Sequence, residues 1–331
     1  MKFHTGYLLS FNSKEFTPKE YSDVFIINTN QRLIPKNYKG NNWNIDWKYN
    51  NEFNGLEFII EAETTETAIN ILYNVFCSAT VYDGTNYSLG EPHFPHALGS
   101  LEKIEYKGLL NLQRKPVTAF ISSVIPNYFY LAAKASIDNE LQNAIIKYQL
   151  STEIYSQHAM DLHEVIEWKS TNYNYIQMRF AYAIITAYGV IEELGLEIRA
   201  SRDNPSILAN GEWNPKVLDN LIERLKKSHI NVRDDIAWLI RGEETEFEKS
   251  KLRISKKAEW SDSPEYENYF FISINDGYVY IPDAINYISY LRSSIASHCV
   301  GERIMGLSVF DVGNAQFLAR RLILERMKLW K

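Results

Sequence analysis

One apolar segment, the twelve residues from Phe180 to Ile191, constrains the fold of this chain more than any other feature. A helix that is apolar on nearly every side has to be covered by other elements. The charged residues Arg179 and Glu192 flank the segment, and a bilayer-spanning helix needs roughly 20 apolar residues. We therefore expect a buried core helix over residues 173–198, and no membrane role.

Strand signals are concentrated in the first part of the chain. Residues 5–11, 22–30 and 55–63 are rich in β-branched and aromatic side chains, which is typical of strands. After the last of them, Thr65 can cap a helix over residues 66–78, where apolar residues recur at helical spacing. These patterns predict a small α+β domain.

Helix signals dominate beyond the charged, proline-bearing stretch at residues 113–116. We divide the chain there into an N-terminal domain, residues 1–122, and a mainly helical domain, residues 123–331. Besides the core helix, the patterns predict helices near 127–149, 153–169, 215–228, 231–241, 283–299 and 309–330. The apolar residues 269–274 followed by Asn275-Asp276-Gly277 predict a β-hairpin inserted among these helices. The predicted fold class is α+β.

Composition excludes several classes of function. The two cysteines, Cys77 and Cys299, have no spacing typical of a disulfide framework or a metal site, which favours a reducing compartment and predicts a cytoplasmic protein. No secretory signal is recognisable at the N-terminus. The net charge of −6 argues against an extended nucleic-acid-binding surface.

The chain offers little for metal or cofactor binding. The segment from Glu91 to His96 contains two histidines and a carboxylate, but its prolines predict an extended loop and no third ligand follows nearby. His158 and His163 are five residues apart, not four as on a zinc-binding helix. Glycine-rich nucleotide loops and the Gly-x-Ser-x-Gly motif are absent. We predict no metal and no cofactor.

Arg292 and His298 are the residues best suited to chemistry. Arginine is a permanent, forked ligand for anions, and histidine changes its charge near neutral pH, so together they suit metal-free chemistry at a phosphodiester. Ile285, Ile288 and Leu291 form an apolar stripe along the same predicted helix. At about 100° per residue, Arg292 and His298 both border that stripe.

A second pair at similar spacing, Arg224 and His229, lies among charged residues near a predicted helix end. We favour the later pair because of its apolar stripe. It also lies in a basic part of the chain, since from Ala284 onward seven basic residues face three acidic ones, 7 − 3 = +4. We assign Arg303, one of these residues, to substrate binding. The alternative for the last five basic residues is the solvated face of a terminal helix.

The arginine and histidine, with the elements around them, resemble the Arg-x4-6-His motif of HEPN-domain ribonucleases. A long helix ending in Ile191-Glu192-Glu193, an insertion, a helix carrying the motif and a last amphipathic helix follow the order that is common in that family. The resemblance covers roughly residues 125–331. The chain departs from many members in having Ser293 directly after Arg292 and Ser297 directly before His298.

This resemblance implies a metal-independent endoribonuclease of single-stranded RNA, of the kind found in bacterial defence or toxin systems. Arg292 would hold the phosphate, His298 would act as general acid or base, Ser293 would donate a hydrogen bond, and Glu192 would line the cleft. HEPN proteins typically pair two motif helices, which implies a homodimer. The N-terminal domain would then sense a trigger or bind a regulatory protein or ligand.

A different class of function remains open. HEPN-like modules also serve as non-catalytic helical scaffolds that bind a protein partner or RNA. In that case His298 would cap a helix end, and the aliphatic part of Arg292 would cover the edge of the core while its charge reaches solvent.

Overall fold

The computed structural model describes residues 2–8, 37–40, 43–50, 55–61, 63–64, 73–74, 77–78, 80–82, 96–97, 125–155, 173–241, 254–257, 274–296 and 306–330. The chain forms two compact units, Met1–Ile146 and Lys147–Lys331. Helices and antiparallel sheets both occur, so the fold class is α+β. The predicted boundary at residues 122/123 lies outside the described residues.

The first unit contains a five-stranded antiparallel sheet in the order β2-β3-β4-β1-β5. Its strands are β1 Lys2–Leu8, β2 Asn37–Gly40, β3 Trp43–Asn50, β4 Gly55–Glu61 and β5 His96–Ala97. Two of the predicted strands therefore form, as β1 and β4, while residues 22–30 lie outside the described part. Strand β3 was not predicted, although Trp43, Ile45, Trp47 and Tyr49 alternate with polar residues, as in a strand with two different faces.

Two helices, α1 Ile125–Ala135 and α2 Asn139–Ile154, replace the single helix predicted near residues 127–149. The prediction of one helix was wrong because Asp138 begins a new one. A side-chain oxygen of Asp138 accepts a hydrogen bond from the backbone N–H of Leu141 at 3.0 Å, which satisfies a donor that the first turn leaves open. The division between the two units falls within α2. The helix predicted over 153–169 lies mostly outside the described residues.

The central helix of the second unit is α3, Tyr173–Glu193, as the apolar segment predicted. Ile184, Ala187 and Ile191 are completely buried along it. It packs against the last helix, α6 Val309–Arg326. Among the helices that the structure describes, none combines the length and the hydropathy of a membrane-spanning segment.

A buried polar network joins α2, α3 and α6. The side-chain amide of Gln316 on α6 donates to the backbone oxygens of Ser151 and Tyr155 at 3.1 and 2.6 Å. The hydroxyl of Ser151 donates to the backbone oxygen of Ala183 on α3 at 2.8 Å. Because buried polar groups without partners are costly, this network specifies how the three helices pack.

Helix α4, Pro215–Lys227, begins as predicted, with Pro215 in its first turn and the Asn214 side chain accepting from Lys216 N–H. Just before it, the indole N–H of Trp213 donates to a carboxylate oxygen of Asp283 at 2.7 Å. Asp283 lies in the first turn of α5, Ile281–Tyr290. The hydrogen bond therefore fixes the segment that precedes α4 against the start of α5.

A three-stranded antiparallel sheet contradicts two of the predictions. Its strands are β6 Asp235–Arg241, β7 Ile254–Lys257 and β8 Ile274–Tyr280, in the order β6-β8-β7. The helix predicted over 231–241 was wrong. In β6 the side chains of Ile236 and Trp238 are buried while Ala237 between them is exposed, which is the period of a strand.

The turn predicted at Asn275-Asp276-Gly277 was also wrong, because these residues lie inside β8. They pair with residues 240, 239 and 238 of β6, and β7 pairs along the other side of the strand. Among the three residues, only Gly277 has partners in both β6 and β7, but all three pair with β6, and this pairing outweighs their local turn preference.

Candidate functional site

Arg292 lies on a π-helical turn, Leu291–Ala296, that directly continues α5. Hydrogen bonds in such a turn skip one residue more than in an α-helix, and single π-helical turns occur often at functional sites. The Leu291 side chain is completely buried, whereas 42% of the Arg292 side chain is exposed. The angle of 100° per residue, on which the predicted orientation of Arg292 and His298 rests, therefore does not hold along this turn.

Glu192, in the last turn of α3, faces Arg292. The two side chains are 100 residues apart in sequence, and a terminal nitrogen of Arg292 donates to a carboxylate oxygen of Glu192 at 3.2 Å. Both side chains are about two-fifths exposed, at 42% and 41%. Exposed ion pairs contribute only about 0.2–1 kcal/mol, so a phosphate could replace Glu192 at small cost.

The aromatic ring of Tyr188 packs against the guanidinium of Arg292. The guanidinium carbon of Arg292 lies 5.4 Å from the centre of the Tyr188 ring, a distance at which a cation is attracted to the ring face. The Tyr188 hydroxyl donates to the Ser289 hydroxyl oxygen at 3.3 Å. Burial raises the pKa of Tyr188, and the hydrogen bond between Tyr188 and Ser289 lowers it by less. Tyr188 therefore keeps its proton at neutral pH, and its uncharged ring holds the guanidinium of Arg292 in place.

Ser293 bonds to its own helix. Its hydroxyl donates to the backbone oxygen of Ser289 at 2.6 Å, a common way for serine to satisfy its hydroxyl within a helix. To donate to a phosphate, as the sequence analysis expects, Ser293 would have to rotate away from this carbonyl. The side chain is exposed, so solvent leaves room for that rotation.

The predicted site residues are thus only partly brought together by the described structure. Arg292, Ser293 and Glu192 lie at one place, where α3 meets the π-helical turn. His298 and Arg303 lie outside the described residues. The distance from Arg292 to His298, on which the predicted acid and base chemistry depends, is not defined.

The alternative pair, Arg224 and His229, has a structural role. The terminal nitrogens of Arg224 donate to the backbone oxygens of Gly195 and Glu197, the latter at 2.8 Å, and only 14% of its side chain is exposed. His229 follows the end of α4 with a φ of 62°. Arg224 is therefore occupied by backbone groups and is a poor ligand for an external phosphate.

The basic character predicted for the end of the chain is reduced by the packing of Arg321. Its side chain is 7% exposed and lies 2.6 Å from Glu325 and 3.2 Å from Asp234. A terminal nitrogen also donates to the backbone oxygen of Asp235 at 2.6 Å. Glu325 is already subtracted in the formal excess of +4, so the contact that lowers this excess is the one between Arg321 and Asp234, which lies outside the counted residues.

Metal ligands are not grouped in the described part of the chain. No set of three or more His, Cys, Asp or Glu side chains there is placed to hold a metal ion. Of the segment from Glu91 to His96, only His96 is described, in β5. The chemistry that the described site can supply is the binding of an anion by Arg292.

Tyr188 and Ser289 are the site residues that the sequence analysis missed. A usable signal was present, because Tyr188 precedes Glu192 by four residues and Ser289 precedes Ser293 by four. Residues four apart share one face of a helix. The prediction of site residues could therefore have been extended by one helical turn along the face that carries Glu192 or Ser293.

Comparison with known proteins does not assign the chain to a family: no protein-family model, no curated protein and no solved structure matches it.

Proposed function

We propose that the chain is a metal-independent endoribonuclease that cleaves single-stranded RNA and whose C-terminal part is a HEPN-like helical domain. The observation that carries this proposal is the state of Arg292. Its guanidinium is held on the Tyr188 ring, is bound on one side by an exposed carboxylate, and reaches solvent. A guanidinium that is held in one orientation and remains partly exposed is suited to bind a phosphate group of a substrate.

Cleavage would use the ribose of the substrate itself. The 2′-hydroxyl attacks the adjacent phosphorus, the bond from phosphorus to the 5′ oxygen breaks, and the products carry a cyclic phosphate and a 5′-hydroxyl. A base removes the proton of the attacking hydroxyl, and an acid protonates the leaving oxygen. His298 would perform one of these two transfers. Arg292 would stabilise the charge that grows on the phosphate oxygens.

Glu192 would occupy Arg292 while RNA is absent. The ion pair with Glu192 would keep the Arg292 side chain in one orientation and reduce its attraction for other anions. When a phosphate arrives, Arg292 exchanges one exposed, weakly stabilising partner for another. Glu192 is thus a positioning residue in this proposal.

The proposed active form is a homodimer in the cytoplasm. A motif helix from each of two copies would contribute to one cleft, and the N-terminal unit would bind a regulatory protein or a ligand. Light scattering at micromolar concentration measures the assembly. A strict monomer under all conditions that support cleavage would contradict the shared cleft.

The central test is cleavage of labelled single-stranded RNA by the purified full-length chain in EDTA, alone and with candidate activators. We expect His298→Ala and Arg292→Ala each to reduce the rate by about 10²- to 10⁴-fold, with unchanged melting temperatures. His229→Ala is the matched control and should cleave normally. RNA with a 2′-deoxyribose at the cut position should resist cleavage because it lacks the nucleophile.

The proposed chemistry is wrong if EDTA stops the reaction or if the 2′-deoxy substrate is cut equally well.

A non-catalytic HEPN-like scaffold is the second candidate. The observation that favours it is the contact of Arg292 with Glu192 and Tyr188, since a purely structural arginine would make the same contacts. This candidate is preferred if no condition yields cleavage while Arg292→Ala and His298→Ala both lose binding to a protein partner or to RNA.

A further inference from the structure

Three arginines meet at the end of α3. Arg292 contacts Glu192 in the last turn, Arg224 contacts the backbone just beyond the helix, and Arg199 contacts Glu197. We call these five residues the α3 terminus cluster. Three positive and two negative charges leave it with 3 − 2 = +1.

The members of the cluster share one electrostatic environment. Burial is the main cause that raises the pKa of Tyr188, and the charges of Glu192, Arg292 and Glu197 also affect it. Burial lowers the pKa of Arg224, and Glu197, Arg199 and Tyr188 also affect it. The charges therefore lie close enough to affect each other, although their residues come from three segments of the chain.

Arg224 is the least exposed member of the cluster, with 14% of its side chain in solvent. Helix α3 ends at Glu193, Gly195 follows two residues later with a φ of 67°, and the carbonyl end of a helix attracts positive charge. Arg224 satisfies that end by donating to the backbone oxygens of Gly195 and Glu197. The negative end of the helix is thereby neutralised, so it no longer repels an anion that approaches the exposed members of the cluster.

Arg199 is the most exposed member, with 58% of its side chain in solvent. Within the described ranges it makes one contact, from its Nε to a carboxylate oxygen of Glu197 at 2.6 Å, and both terminal nitrogens are left for another partner. The second oxygen of Glu197 lies 3.6 Å from Arg224. Because one carboxylate, Glu197, faces two guanidiniums, Arg199 and Arg224 together keep a net charge of 2 − 1 = +1, and Arg199 is the more exposed of the two.

We propose that Arg199 is a second phosphate contact for the RNA strand whose scissile phosphate is held by Arg292. This inference rests on the proposed ribonuclease function. Glu192 and Glu197, the partners of the two arginines, are five residues apart, so their Cα atoms are at most roughly 17 Å apart. A strand of a few nucleotides covers that distance, because each nucleotide adds about 3.4 Å or more. The terminal nitrogens of arginine match the geometry of phosphate oxygens.

The test is binding of a short fluorescent single-stranded RNA made uncleavable by 2′-deoxyribose at the cut position, measured with the full-length chain over a range of salt concentrations. We expect Arg199→Ala to weaken binding by about fivefold, as loss of an exposed ionic contact of about 1 kcal/mol implies. The salt dependence of the affinity, as a log–log slope, should fall by about 0.7, the value for one phosphate contact on a single strand.

Lys227→Ala is the matched control. Lys227 is also an exposed cation with one carboxylate partner, 73% exposed and 2.7 Å from Glu223, but it lies outside the cluster. Its loss should leave affinity and slope unchanged. An equal drop for both variants overturns the inference, because the effect would then be general attraction by charge.

The outcomes separate this inference from the function on which it rests. If Arg292→Ala weakens binding and Arg199→Ala does not, the second contact is wrong and the ribonuclease proposal stands. If the wild-type chain neither binds nor cleaves RNA, both are overturned.

Discussion

Tyr148 on α2 is completely enclosed, and this burial raises its pKa to about 12, against the nearby charge of Arg320, which lowers it. A tyrosine in the unfolded chain loses its proton near pH 10. Above that pH the unfolded state binds fewer protons than the folded state. Stability is therefore present in full below pH 10 and is lost as the pH rises towards 12.

Tyr148→Phe removes this pH dependence. Between pH 10 and 12 the wild-type chain should lose about 2 kcal/mol more unfolding free energy than the variant, because each pKa unit corresponds to about 1.4 kcal/mol and each state is half ionised at its own pKa. Urea unfolding of both proteins at the two ends of this range measures the difference. Parallel losses of stability in the two proteins would show that Tyr148 is not protected from ionisation.

Two arginines show how far residue identity alone determines a site. Arg224 and Arg292 both precede a histidine at similar spacing in the sequence. In the folded chain Arg224 is occupied by backbone oxygens, and Arg292 is exposed on a tyrosine ring. The difference arises from partners 27 and 100 residues away in sequence, which no local pattern contains.

Three helices of the second unit end in the same way. After α3, α4 and α6, one residue adopts a positive φ: Gly195 at 67°, His229 at 62° and Lys328 at 58°. The N–H of the following residue then bonds back to the last helical turn, as Leu196 does to Ile191 at 2.9 Å and Ile230 to Leu225 at 2.9 Å. This is the Schellman arrangement, in which glycine is the preferred residue.

Substitutions at these three positions should have opposite signs. His229→Gly and Lys328→Gly should each raise the unfolding free energy by about 0.5–1 kcal/mol, because glycine removes the strain of a left-handed backbone. Gly195→Ala should lower it by about 1 kcal/mol. A Cβ at Gly195 would meet no atom within 4 Å, so the cost lies in the backbone alone.

Chemical denaturation of the full chain measures these changes, with His229→Ala as the control that replaces one non-glycine residue with another. A loss of stability in His229→Gly would mean that the imidazole makes a stabilising contact which outweighs the strain.

The boundary between the two compact units of the chain falls inside helix α2. The two compact units meet at residues 146/147, and α2 runs from Asn139 to Ile154. A fragment that begins at Lys147 would lose the first half of α2 and the Asp138 side chain that caps it. A fragment of residues 123–331, the helical domain predicted from sequence, keeps both.

We expect fragment 123–331 to unfold cooperatively and to be more stable than fragment 147–331. The cap alone contributes about 1 kcal/mol, and the shortened helix loses further backbone hydrogen bonds. Urea unfolding followed by circular dichroism compares the two. Equal stability of the fragments would mean that the first half of α2 adds nothing to the second unit.

The sequence by itself determined the elements whose pattern is long and local. The apolar segment from Phe180 to Ile191 predicted the core helix, Asn214 and Pro215 predicted the start of α4, and the strand-rich beginning with a helix-rich remainder predicted an α+β fold. Such patterns are decided by neighbours in the chain, because helical periodicity and capping act within one or two turns.

Only the tertiary structure decided the short elements and the site. Residues 235–241 form a strand because β8 pairs with them, and Asn275-Asp276-Gly277 is part of a strand because all three residues pair with β6. The π-helical turn changes the orientation of Arg292, and the contact with Glu192 lies 100 residues away. Pairing, burial and charge balance between distant segments outweigh local propensity, and no local pattern in the sequence shows which distant segments will meet.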